Sequence, residues 1–133
     1  MPEGMDVRYR DAFRAMLNLV AELYRAGIPI EAGTDSLAGF SLHRELELYV
    51  EAGIPAPAVL QLATLGAAQI MKRDRDLGSI APGKLADVIL VAGDPAARIS
   101  DIRRVSTVIK DGVMYNAAEL DRALGVTPVS AGR

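Results

Sequence analysis

The chain has 133 residues, half of them apolar, and a formal charge of -2, proportions that suit one globular domain with a sizeable core. No segment clusters Lys and Arg, which disfavours a nucleic-acid or anionic-membrane surface, and no apolar run approaches the ~20 residues that span a bilayer. Cysteine is absent, which excludes disulfides, thiolate metal ligands and a thiol nucleophile, and His43 is the sole histidine.

In chain order, residues 1–13 carry acidic side chains and no apolar segment, unlike a signal peptide, so a cytoplasmic location is expected. Over 6–26, Phe13, Met16, Leu17, Val20, Leu23 and Tyr24 recur at helical spacing, and Gly27 supplies the stop. The apolar run 28–32 is predicted as a short strand that ends at Gly33-Thr34-Asp35-Ser36. Ser41 is placed to cap a helix over 42–52, with Leu42, Leu46, Tyr49 and Val50 on one face and Gly53 closing it. A third helix starts near Pro57 and runs to about Met71.

After Asp76 the pattern changes. "LGSIAPGKLADVILVAGDP" predicts a short strand, a Pro82-Gly83 turn, a strand over 87–91 and a turn at Gly93-Asp94-Pro95. In "VSTVIKDGVMY", strands over 105–110 and 113–115 flank Asp111-Gly112, the pair favoured in a two-residue type I′ hairpin. From Asp121 onward a frayed helix and a tail are expected. A lone strand at 28–32 needs neighbours on both edges, and the helical half offers none, so its partners are expected elsewhere.

On spacing alone Asp35 is a turn or capping residue. His43, in the first turn of its helix, is equally a solvent-facing histidine or a group that touches substrate. Arg44, Glu45, Glu47 and Glu51 read as the solvated face of that helix, Lys84 as a structural turn lysine, and Asp87 as a local cap or pair.

Four stretches in order, "AGIPIEAGTDS", "LHRELELYVEAGIPAPAVLQLAT", "LGSIAPGKLADVILVAGDP" and "ISDIRRVSTVIKDGVMY", resemble the C-terminal third of metal-dependent amidohydrolases of the imidazolonepropionase-like and prolidase-like kind. The resemblance implies an α/β architecture. Residues 1–75 would be the end of a (β/α)₈ barrel, 76–120 part of a small antiparallel β-sandwich, and 121–133 a tail. The segment 28–32 would be the eighth barrel strand, with Asp35 at its C-terminal end as a metal ligand and catalytic carboxylate. Barrel enzymes gather their catalytic groups at that end of the strands. A carboxylate there can accept a proton from water activated by a divalent metal, zinc being the expected ion, and pass it to the leaving nitrogen of an amide, cyclic amide or dipeptide. His43 would contact substrate or a metal-bound water.

The departures from the family bound this reading. The His-x-His pair, further histidines and bridging lysine of the family are absent, and Asp35 with His43 falls short of the three protein ligands a catalytic zinc takes. A whole barrel needs ~250 residues. Pro55-Ala56-Pro57 replaces a Ser/Thr cap, and Gly66 stands where asparagine is common. The chain is therefore expected to be a C-terminal fragment, inactive and without stoichiometric metal by itself. It would associate with the missing N-terminal part or form a homo-oligomer. The alternative is a non-catalytic domain, folded by self-association and used for binding or assembly.

Overall fold

The computed structural model describes residues 5–34 and 41–127. Helix α1, Met5–Arg25, is followed by α2, Ser41–Glu51, and α3, Ala56–Gln61. A π-helical turn, Leu62–Gly66, joins α3 to α4, Ala67–Ile70. Strand β1, Val88–Val91, a 3₁₀ turn, Ile99–Arg103, strands β2, Val105–Lys110, and β3, Val113–Asn116, and helix α5, Ala117–Ala123, complete the order. The result is a mixed α/β arrangement of helices beside an antiparallel sheet in the order β1-β2-β3.

The helix ends follow from local chemistry. Gly27 takes a φ of 69°, and Ile28 N–H donates to the Leu23 carbonyl at 3.1 Å; Gly53, at 97°, lets Ile54 N–H donate to Tyr49 in the same way. Each is the glycine-terminated stop that satisfies the last carbonyls of a helix. In the hairpin, Asp111 at φ 51° and Gly112 at 79° provide the two positive angles of the tight turn between β2 and β3. Asn116 accepts from Glu119 N–H at 3.2 Å and starts α5 at residue 117, earlier than the sequence pattern placed a helix.

The core forms where α2 meets the 3₁₀ turn: Leu46, Ile54, Val59, Ile99 and Ile102 are buried together. Ile54 and Val59 lose essentially all their exposure, which stabilises the fold by ~1.5–3 kcal/mol each. Helix α1 joins through Val20 and Tyr24, while Phe13 and Met16, on the predicted apolar stripe, face outward.

Two predicted strands do not form. Among the described residues no strand lies beside 28–32, so they make no ladder there; Ile30 and Ala32 instead turn inward against the core. The stretch before Pro82 is an irregular loop, held by the Lys84 ammonium on the carbonyls of Asp74 and Leu77 and on Ser79 Oγ. The single helix expected over 57–71 is interrupted by the π turn. Gly78, at φ 83°, sits against that turn so closely that a Cβ would lie 2.6 Å from Ala68 Cβ and 2.9 Å from Leu65 Cα.

Candidate functional site

Asp35, the residue singled out for metal binding and catalysis, lies outside the described residues. What the structure does place is the segment leading to it, 31–34, and the face of α2 that holds this segment.

Spacing along α2 sorts its polar side chains. Glu45 and Tyr49, one turn apart, meet at 2.8 Å between Tyr49 Oη and Glu45 Oε1. The same carboxylate oxygen accepts Gly33 N–H at 3.2 Å, and the Tyr49 hydroxyl is 3.0 Å from the Glu31 carbonyl. Thr34 Oγ1 lies 2.8 Å from Ser41 Oγ at the start of the helix. Burial, then the neighbouring Glu45 carboxylate, pushes the Tyr49 phenol well above its usual range, so its hydroxyl stays protonated and able to donate.

His43 and Glu47 form the next pair. Glu47 takes a two-pronged ion pair from Arg103, with Nε–Oε1 at 2.6 Å and Nη2–Oε2 at 3.0 Å, across 56 positions of sequence. Arg103 follows the core residue Ile102, so hydrophobic packing of the 3₁₀ turn aims its guanidinium at α2. Hydrogen bonding from Arg103 holds the Glu47 carboxyl below its ordinary value despite partial burial. His43, half-buried beside this pair, is held below its ordinary value of 6.5, first by desolvation and then by the Arg103 charge. A neutral imidazole can accept or donate a hydrogen bond to a small ligand, but a guanidinium beside it disfavours a cation there.

Glu45 and Glu47 thus do more than solvate a helix face: one reaches the 31–34 segment, the other the 3₁₀ turn. Arg44, on the outer side, pairs with Glu47 and Glu51 at 3.4 and 3.3 Å. Tyr49 and Arg103 escaped the sequence reading as site residues. The i, i+4 spacing of Glu45 and Tyr49 was the available signal for the first; nothing local marks the second. Among the described residues no three His, Asp or Glu side chains converge on a point where a metal ion would sit, so these residues do not by themselves fit a metal centre.

A groove of about 850 Å³ opens elsewhere, between α4 and β1, lined by Ala67, Met71, Leu77, Ile80, Leu85 and Ile89 among others. Its polar groups are already engaged. Lys84 holds the loop, and Asp87 accepts from Lys110 Nζ at 2.8 Å and from Asp111 N–H at 2.9 Å, fixing the hairpin. No described helix is long and apolar enough to cross a membrane.

Residues 9–114 match the family described as "Amidohydrolase family". The chain is 30% identical over 119 residues to an adenine deaminase of Mesorhizobium japonicum, covering 75% of this chain and 20% of the relative. It is 34% identical over 96 residues to an imidazolonepropionase of Caldanaerobacter subterraneus subsp. tengcongensis, covering 66% and 23%. Among solved structures it superposes with a TM-score of 0.71 on a Xaa-Pro dipeptidase crystallised with methionine in its active site, at 37% identity, covering 76% of this chain and 25% of that one. The chain therefore spans about a fifth to a quarter of the length of these relatives.

Proposed function

The chain belongs to the amidohydrolase family, and we propose that it forms the C-terminal share of an enzyme that hydrolyses a C–N bond in a small amide, cyclic amide or dipeptide. Residues 1–75 would complete a (β/α)₈ barrel and 76–120 would contribute to a β-sandwich, with 121–133 as a tail. The observation that carries this reading is the extent of the family match, which runs through the α2 segment and the hairpin alike. The relatives' names span deamination of adenine and cleavage of Xaa-Pro dipeptides, both reactions at a C–N bond.

In this reading Asp35 is the carboxylate that the chain contributes to catalysis. It takes a proton from the attacking water and returns it to the leaving nitrogen, and His43, kept neutral beside Arg103, contacts the substrate. Asp35 is also one donor to a divalent metal, zinc by expectation, whose other ligands belong to polypeptide beyond these residues. Exposed apolar side chains such as Ile89, Leu90 and Met114 on the sheet support association with that polypeptide.

The test is a chimera in which this chain replaces the matching segment of the Xaa-Pro dipeptidase. Retained metal and dipeptide hydrolysis, lost together on Asp35→Asn, support the reading. A folded chimera with neither metal nor activity overturns it.

A further inference from the structure

Glu47 stands one turn after His43 on α2, the spacing at which an imidazole and a carboxylate can pair. Such a pair fixes the orientation of the ring and raises its basicity. Here the carboxylate is committed elsewhere. Its Oε1 receives Arg103 Nε at 2.6 Å and its Oε2 receives Arg103 Nη2 at 3.0 Å, and neither oxygen bonds His43. Arg44 Nη1, at 3.4 Å, adds a third donor on Oε2. A guanidinium fork meets a carboxylate through two parallel bonds, so it fixes the plane of the Glu47 group as well as its position.

The hold is built outward from the core. Glu47 follows Leu46 and Arg103 follows Ile102, and both of these apolar residues are buried in one cluster. Packing of the 3₁₀ turn on α2 thus brings the two charges together across 56 positions of sequence. Two charged groups act on the half-buried ring beyond its desolvation. Arg103, from the 3₁₀ turn, disfavours the imidazolium, and Glu47, from the ring's own helix, favours it.

We propose that Arg103 is a positioning residue that holds the Glu47 carboxylate away from His43 and so leaves the imidazole nitrogens to a ligand. Arg103 then acts on the ring in two ways, through its own charge and by capturing the ring's helical partner. The bearing on substrate rests on the reading of His43 given above. The competition for Glu47 takes place between residues of this chain, so the two ideas fail separately.

The test uses isotope-labelled full chain and follows His43, the sole histidine, by nuclear magnetic resonance through a pH titration. Arg103→Ala is expected to raise the midpoint of the imidazole. Loss of a repelling charge does this whether or not Glu47 is present, whereas release of a captured carboxylate requires Glu47. In a Glu47→Gln background the Arg103→Ala step should therefore move the midpoint less than about half as far as in the unaltered background. Should Arg103→Ala unfold the chain, Arg103→Met, which keeps an aliphatic stem, takes its place in both arms. A step of half the unaltered size or more, or no rise in the unaltered background, overturns the proposal. In the chimera, His43→Gln with an unchanged KM overturns the reading of His43 as a substrate contact instead.

Discussion

Gly78 and Gly83 share nearly the same backbone angle, φ 83° and 88°, but differ in what surrounds them. A Cβ at Gly83 meets nothing within 4 Å. At Gly78 it would lie 2.6 Å from Ala68 Cβ, 2.9 Å from Leu65 Cα and 3.0 Å from the Thr64 carbonyl. Those neighbours are backbone atoms and a methyl group with no rotamer to give, so the π turn itself would have to move. Gly83→Ala should therefore cost only the left-handed backbone term, ~1–2 kcal/mol. Gly78→Ala adds overpacking of ~1–3 kcal/mol, for a total of roughly 2–5 kcal/mol. For a domain of this size about 4 °C of melting temperature accompanies each kcal/mol, so the two variants should differ by roughly 4–12 °C. Thermal unfolding followed by circular dichroism measures this directly. Equal melting temperatures for the two variants would refute the argument that Gly78 is required by its contact with the π turn.

Other outcomes follow from the ion pairs and the titrating groups. A double-mutant cycle on Glu47 and Arg103 should show a coupling of ~1 kcal/mol that weakens in salt, against ~0.3 kcal/mol for Glu47 with the outer Arg44; equal couplings would contradict the special role of the two-pronged pair. The single imidazole should titrate by nuclear magnetic resonance below 6.5, and Arg103→Ala should move its midpoint upward by removing a repelling charge; a midpoint above 6.5 in the unaltered chain would be inconsistent with that environment. Because His43 has its folded value lowered, its contribution to stability is complete above pH 6.5 and is lost as pH falls through the folded value. Asp101 and Glu47 are also lowered, Asp101 chiefly by the Asp94 N–H and the Arg98 guanidinium, so their contribution holds above about pH 4.5 and fades on further acidification. Asp101→Asn should flatten the acid limb of a urea-unfolding series, and an unchanged limb would count against the Asp101 interactions.

Much of the local structure was legible in the residues. Asp111-Gly112 and the stops at Gly27 and Gly53 depend on backbone angles that few residue types accept, so their meaning survives without tertiary information. Segment 28–32 makes no ladder among the described residues, because apolar composition describes burial whereas a strand also requires a partner, and the sequence already placed those partners elsewhere. The interruption at residues 62–66 was invisible for a related reason: it accompanies the packing of Gly78, well along the chain, against the helix. The candidate site divides the same way. Glu45 and Tyr49 could be paired from helical spacing, but that Glu45 also accepts Gly33 N–H, and that the Glu31 carbonyl competes for the one Tyr49 hydroxyl proton, depends on how the chain turns back across α2. Arg103 finds Glu47 only because Ile99 and Ile102 bury the 3₁₀ turn beside that helix. The family resemblance named Asp35 where spacing alone left it a turn residue.

If Asp35 is the catalytic, metal-binding carboxylate proposed above, its loss must show in bound metal. The chimera with the Xaa-Pro dipeptidase should be purified with and without Asp35→Asn and its zinc measured by elemental analysis alongside circular dichroism. The account predicts that the folded variant loses most of its bound metal together with hydrolysis. A folded Asp35→Asn chimera with undiminished metal and activity would contradict it.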